Sequence, residues 1–257
     1  MDRLVTLAQP ALCYCQRATQ LKLLQRRHGQ PMTTTLKLDI VSDVSCPWCI
    51  IGYKALEEAL RRLEPNITAQ ITWRPFELNP AMPPEGQDIV EHITEKYGIS
   101  VVQSQQNRAA IKQRGLETGY SFGERVGGRI YNTFDAHRLL HWAEKSQHQM
   151  PLKLGLFDLY FKAGGNPSDH QQLLEVVANS GLDVATAAEV LNSERCSQEV
   201  RAAQKQYQRQ GINAVPAVIV NEKYVINGGQ PSEIFAQALR DIADQIGPVQ
   251  APHTADV

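Results

Sequence analysis

Two cysteines three residues apart, in Ser45-Cys46-Pro47-Trp48-Cys49, are the residues of this chain whose type and spacing point most directly to chemistry. Thiols at positions i and i+3 of a helix come about 5–6 Å apart, within the reach of a disulfide. The pair could therefore open and close as a dithiol/disulfide centre. The same spacing can supply half of a zinc site, but such a site needs two further ligands. The other cysteines form no second pair of this kind: Cys13 and Cys15 are separated by one residue in an N-terminal tail, and Cys196 stands alone. Redox chemistry is the expectation, with no metal.

The elements on either side of the motif should position the two sulfurs. Before it, Leu36, Leu38 and Ile40 alternate with polar residues, the period of a half-buried strand. After it, Ile50, Tyr53, Leu56, Leu60 and Leu63 fall largely at helical spacing until Pro65 ends the run. The motif thus opens a helix. Pro47 suits the first helical position, where its missing N–H would have had no partner. A helix N-terminus stabilises a thiolate by at most about 2 kcal/mol, and Cys46 gains most from it. A Cys-x-x-Cys at a strand-to-helix junction in a reducing compartment is a thioredoxin-like signal.

Composition narrows the function classes. The 257 residues are 42% hydrophobic and 21% charged, as in an ordinary globular protein. A formal net charge of −1 argues against a nucleic-acid or membrane-surface role, both of which favour a basic face. No stretch approaches the roughly 20 apolar residues of a membrane span. Five cysteines, an odd number, do not suit a disulfide-stapled secreted scaffold, so a cytoplasmic location is expected.

Residues 1–34 read as a leader outside the fold, basic and acid-poor after Asp2. A transit peptide or a true start at Met32 are the alternatives to plain disorder. Residues 35–84 form the first part of an α/β unit, with a second strand from Ile67 to Trp73 and an irregular proline-rich connector from Arg74. Residues 85–210 read as a helical insertion without strand signals. Ser168 and Asp183 are its expected N-caps, and Gly181 and Gly211 its expected helix terminators. The α/β pattern resumes over 211–247, with strands Ala217–Val220 and Tyr224–Ile226 and a last helix opened by Pro231; 248–257 read as a disordered tail.

The ordered set of motifs resembles the DsbA-like thioredoxin-fold oxidoreductases, and among them the FrnE-type subfamily. The resemblance is carried by Ser-Cys-Pro-Trp-Cys after a strand, Trp73-Arg74-Pro75-Phe76, Asn132-Thr133, Ala136-His137-Arg138, Val215-Pro216 before a hairpin, and Gly228-Gly229-Gln230-Pro231 before the last helix. It covers roughly residues 36–246. It implies an α/β thioredoxin-like fold with a large helical insertion. It also implies a cis peptide at Val215-Pro216, whose loop faces the cysteines and leaves the Val215 backbone free to pair with an extended substrate chain. Without the resemblance, a trans proline would be expected.

On this basis the resemblance implies a thiol–disulfide oxidoreductase in which Cys46 attacks and Cys49 resolves. Pro47, Trp48, Val215, Pro216, Asn132 and Thr133 would contact substrate. Asn132 and Thr133 could equally be plain helix caps. Trp48 could cover the disulfide or form the lip against which substrate packs. His137 could shuttle a proton, but reads more readily as a surface or hydrogen-bonded core residue. Cys196 reads as a buried small hydrophobe on a helix. No bound cofactor is expected beyond the redox-active disulfide, with glutathione a candidate co-substrate. The expected partners are protein or small-molecule thiols and disulfides. The alternatives are a glutathione-dependent isomerase or transferase, related to 2-hydroxychromene-2-carboxylate isomerase and the kappa-class transferases, and a peptide-binding module with incidental cysteines. The isomerase branches usually carry serine where this chain has Cys46.

Overall fold

The computed structural model describes residues 33–124 and 128–246. The leader apart from its last two residues, with Cys13 and Cys15, and the C-terminal tail lie outside the described residues.

Strand β1 (Thr34–Ser42) starts within the segment expected to be leader, because Thr34 and Thr35 already pair with Ile67 and Thr68 of β2 (Ile67–Pro75). The β1–β2 pair is parallel, as it must be when helix α1 (Pro47–Leu63) carries the chain back between the two strands. Pro47 occupies the first turn of α1, and Arg61 and Arg62 lie in its last turn, where cations complement the helix dipole. The other two strands come from the end of the chain. Strand β5 (Ala217–Val220) pairs antiparallel with β1, and β6 (Tyr224–Asn227) pairs with β5, giving a four-stranded sheet in the order β2-β1-β5-β6.

Between β2 and β5 runs the insertion. It holds β3 (Gln87–Asp88), α2 (Ile89–Tyr97), α3 (Val101–Glu117), β4 (Arg129–Ile130), α4 (Phe134–Trp142), a short 3-10 turn (Ala143–Lys145), α5 (Gln149–Phe161), α6 (His170–Asn179), α7 (Val184–Leu191) and α8 (Ser197–Arg209). Helix α9 (Ser232–Ile246) closes the fold against α1. The insertion does contain strand: β3 and β4 form a two-residue antiparallel ladder. Two residues are too few to show any alternation in sequence.

Asp183 caps α7 as expected by accepting from the Thr186 N–H, and Gly181 and Gly211 lie past helix ends with positive φ. Ser168 is not a cap. Asp169 caps α6 through the Gln172 N–H, while the Ser168 hydroxyl donates to the Asn132 carbonyl. Both residue types can cap a helix, and only the backbone angles at Asp169 decide which does.

Leu36, Leu38, Ile40, Val218 and Val220 of the sheet pack with Ile50, Leu56, Phe235 and Leu239 of α1 and α9. A second cluster, with Leu139, Leu152, Leu156, Leu173 and Val177, lies within the insertion. Helix α5 serves both, since Leu152 and Leu156 belong to the second cluster and Phe157 and Tyr160 to the first. It is therefore apolar on nearly every side. Its one buried cation, Lys153, has no exposed surface.

Candidate active site

Cys46 is the N-cap of α1, with extended backbone angles, and Cys49 lies in the first turn, its N–H bonded to the Cys46 carbonyl at 3.1 Å. Both are free thiols. Cys46 keeps 4% of its surface exposed and Cys49 none, so solvent reaches only the first of them. Between them Trp48 is 42% exposed. Burial first, and then the hydrogen bond and charge of the neighbouring Cys46 sulfur, push the Cys49 thiol well above its usual range. At neutral pH Cys49 rests as a thiol.

From the far end of the sequence, the loop before β5 brings Val215 and Pro216 to the same sulfur. The Cys46 thiol donates to the Val215 carbonyl at 3.7 Å. The Val215–Pro216 peptide is cis, in agreement with the resemblance, and Glu64–Pro65 is cis as well. The loop is seated by the Gly228 N–H, which donates to the Pro216 carbonyl at 2.8 Å, and by contact between α1 and the following turn. A Cβ on Gly52 of α1 would stand 2.9 Å from the Gly229 Cα and 3.3 Å from the Pro216 ring. Only a glycine lets the helix come this near.

Beneath the motif lies a buried charge cluster. Asp43, with no exposed surface, accepts from the Ser45 N–H at 3.2 Å and from the Leu78 N–H at 2.7 Å, tying the motif loop to the connector after β2. His137 of α4 places its Nε2 3.5 Å from Asp43 Oδ1, an ion-pair distance at which no well-formed hydrogen bond is made. Burial pushes the Asp43 carboxyl up. His137 and the two backbone N–H groups outweigh it and hold the carboxyl below its usual range.

Lys153 approaches from α5. Its Nζ has no hydrogen-bond partner and sits over the rings of Phe157 and Trp73, 4.7 and 5.1 Å from their centroids. Burial pushes the ammonium down to about 8, against the opposing pull of Cys49, Asp43 and Cys46. A buried lysine acting on two thiols and a carboxylate can exchange a proton near neutral pH.

Of the residues singled out in the sequence, Cys46, Pro47, Trp48, Cys49, Val215 and Pro216 share one end of the sheet. Asn132 and Thr133 stand at the start of α4. Asn132 accepts from the Phe134 N–H at 2.8 Å and donates to the Met82 carbonyl at 3.0 Å, while Thr133 is the N-cap of α4 without a side-chain capping bond. His137, one turn further, is the α4 residue that reaches the motif loop. Cys196 is not a buried helical residue: it is half-buried, at the N-cap of α8, in left-handed backbone. Burial and Glu199 push its thiol up.

Asp43 and Lys153 were not singled out in the sequence. Lys153 had a visible signal, a lone charge inside the apolar run Leu152 to Leu156. Two surface grooves of about 470 and 430 Å³ lie away from the thiols, the first lined by Phe134, Arg138 and Leu191 among others, the second by Asn79 to Pro83 and His92. Among the described residues, no helix is long and apolar enough to cross a membrane.

A curated protein of Bacillus subtilis (strain 168), "Uncharacterized protein YwbO", is 26% identical over 208 residues, 80% of this chain and 97% of that one. The crystal structure of a probable DsbA oxidoreductase, SCO1869 from Streptomyces coelicolor, is 28% identical and superposes with a TM-score of 0.76 over 85% of this chain and 94% of that one. The cytosolic disulfide reductase DsbM from Pseudomonas aeruginosa, in a structure with GSH, shares the fold at 16% identity, with a TM-score of 0.55 over 80% of this chain and 98% of that one. The profile of the DSBA-like thioredoxin domain matches residues 37–240. Since that match spans far more than half of the sequence, the chain belongs to the DSBA-like thioredoxin domain family.

Proposed function

We propose that this protein is a thiol–disulfide oxidoreductase of the FrnE type, with Cys46 as the attacking thiolate and Cys49 as the resolving thiol. The observation that carries the reading is the placement of Cys46. It stands at the N-cap position of α1, where a thiolate is stabilised, while its sulfur lies 3.7 Å from the Val215 carbonyl. A substrate disulfide is attacked by the Cys46 thiolate, forming a mixed disulfide and releasing one substrate thiolate. Cys49 then attacks the Cys46 sulfur, closes the protein disulfide and releases the second. Two protein thiols are oxidised and one substrate disulfide is reduced.

Trp48 supplies an apolar surface beside the reacting sulfur, and the Val215 backbone supplies pairing for a peptide. The substrates are protein or small-molecule disulfides. Glutathione is the candidate thiol that regenerates the reduced form, in keeping with the DsbM neighbour's structure with GSH. The cysteine usage fits a cytoplasmic protein, in which this centre works as a reductase or isomerase.

The test is reduction of insulin disulfides by the purified reduced protein. Wild type should be active and Cys46→Ser inactive, and Cys49→Ala should accumulate a mixed disulfide with glutathione visible by mass. If Cys46→Ser retains full activity, the reading fails. A glutathione-dependent isomerisation that survives Cys49→Ala would favour the isomerase instead.

A further inference from the structure

We propose that His137, on helix α4 of the insertion, is a positioning residue for the attacking thiol: it secures the Asp43 carboxylate, whose hydrogen bonds shape the turn that carries the Cys46 sulfur to Val215. This rests on the oxidoreductase reading and gives the insertion a part in it.

Asp43 closes the chain on the motif twice. Its Oδ1 accepts from the Ser45 N–H at 3.2 Å, and its carbonyl accepts from the Cys46 N–H at 3.2 Å. These bonds fix the backbone entering Cys46, whose angles at the N-cap (φ −91°, ψ 113°) set where its sulfur stands, 3.7 Å from the Val215 carbonyl. The second carboxylate oxygen, Oδ2, takes the Leu78 N–H at 2.7 Å. The oxygen that holds Ser45 is also the one that His137 Nε2 faces, at 3.5 Å. Val44, between Asp43 and Ser45, packs with Ala136, Leu139 and Leu140 of the same helix as His137. Packing thus docks the turn on α4 without the pair, and apolar residues of similar volume often serve stability as well as a buried ion pair does. What His137 adds is a fixed partner for the carboxylate.

Both side chains of the pair are 1% exposed, so water does not replace that partner. The other ionisable groups around Asp43 come from three helices. Lys96 of α2 is engaged with the Leu78 carbonyl at 2.8 Å and Asn79 Oδ1 at 2.6 Å, Lys153 of α5 sits over the rings of Trp73 and Phe157, and Cys46 and Cys49 of α1 are free thiols. Burial pushes the Asp43 carboxyl up, and His137 is foremost among the groups that hold it down. Without His137 burial prevails and the carboxyl takes its proton at a higher pH. The Ser45 N–H then faces a neutral acid, a weaker acceptor than a carboxylate, and the turn before Cys46 loosens.

The test is the rate at which iodoacetamide alkylates Cys46 in the reduced protein, in a Cys49→Ala background, read from the mass of the motif peptide across a pH series. With His137 in place, the rate should fall toward acid by about one decade per pH unit, the slope of a single ionising thiol. His137→Asn, whose amide is too short to stand where Nε2 does, should fall more steeply. It should lie about tenfold below the parent near pH 5 and within about twofold of it near pH 9, tenfold being the effect of one unit in the ionisation of the carboxyl. His137→Gln, whose amide nitrogen reaches the Nε2 position, should restore the single slope. In an Asp43→Asn background, His137→Asn should change nothing further, as expected of a residue that acts through Asp43. His137→Leu takes the place of His137→Asn should the latter fold poorly, with the same steep slope expected. An ordinary slope in the shortened variant, or a slowing equal at every pH, overturns the role of His137 and leaves the oxidoreductase reading intact. A wild type that shows these alkylation profiles yet fails to reduce insulin overturns that reading and leaves the positioning role standing.

Discussion

The Cys46 thiol and the Val215 carbonyl, 169 residues apart in sequence, meet at 3.7 Å. That contact joins the two halves of the thioredoxin-like unit across the insertion, and it depends on how closely α1 can approach the chain after β6. Gly52 and Gly229 set that distance.

Gly52→Ala should therefore loosen the site. Alanine in a helix interior gains up to about 1 kcal/mol over glycine. Its Cβ would stand 2.9 Å from the Gly229 Cα, backbone that cannot rotate away, and overpacking of this kind costs about 1–3 kcal/mol. The net expectation is a lower melting temperature together with slower disulfide reduction. Thermal denaturation and the insulin assay check it; an unchanged rate with a raised melting temperature would contradict it.

Asp43→Asn should destabilise the fold by about 3 kcal/mol, because it removes the charge facing buried His137 and weakens the acceptor for the Ser45 and Leu78 N–H groups. The Asp43 carboxyl is held below its usual range, so its contribution is fully present above about pH 3.9 and is lost as pH falls through the depressed folded value. Urea unfolding across acid pH should show wild type losing this advantage at the acid end. The variant's curve should be flatter there.

Lys153→Met should stabilise the protein. The folded ammonium is pushed from 10.5 down to about 8, so the unfolded chain binds the extra proton between those values. Stability from this group therefore rises with pH across that window, and at neutral pH its burial costs about 3 kcal/mol. Removing the amine should raise the melting temperature near pH 7, with a smaller gain toward pH 10, where wild-type Lys153 is already neutral in the fold. Cys49 acts in the opposite sense above its ordinary range, since its folded thiol holds its proton longer than the unfolded one. A drop in melting temperature at neutral pH would count against the buried charge.

Trp48→Ala should separate substrate contact from stability. The ring is 42% exposed, so its loss should change folding free energy by no more than about 0.5–1 kcal/mol. Reduction of a protein disulfide should slow several-fold more than reduction of a small one. Equal slowing with both substrates would mean that Trp48 merely shields the sulfurs.

Much of this protein was legible in its residues because the signals are local. Alternation along Leu36, Leu38 and Ile40, Pro47 at the head of a helix, Pro65 after its end, and glycines at 181 and 211 each describe a few neighbouring backbone angles, and these hold whatever the rest of the chain does. The dithiol was readable for the same reason, since one helical turn brings its sulfurs together. Tertiary structure alone decided which long-range partners surround them. Helix α5 is apolar on nearly all sides, so its sequence could not say that Lys153 would be buried over the rings of Trp73 and Phe157. Nor could the sequence say that His137 would meet Asp43, or that Asn132 would bond to Met82. Those outcomes depend on how packed helices settle against one another, and helical periodicity specifies a face without specifying what it meets.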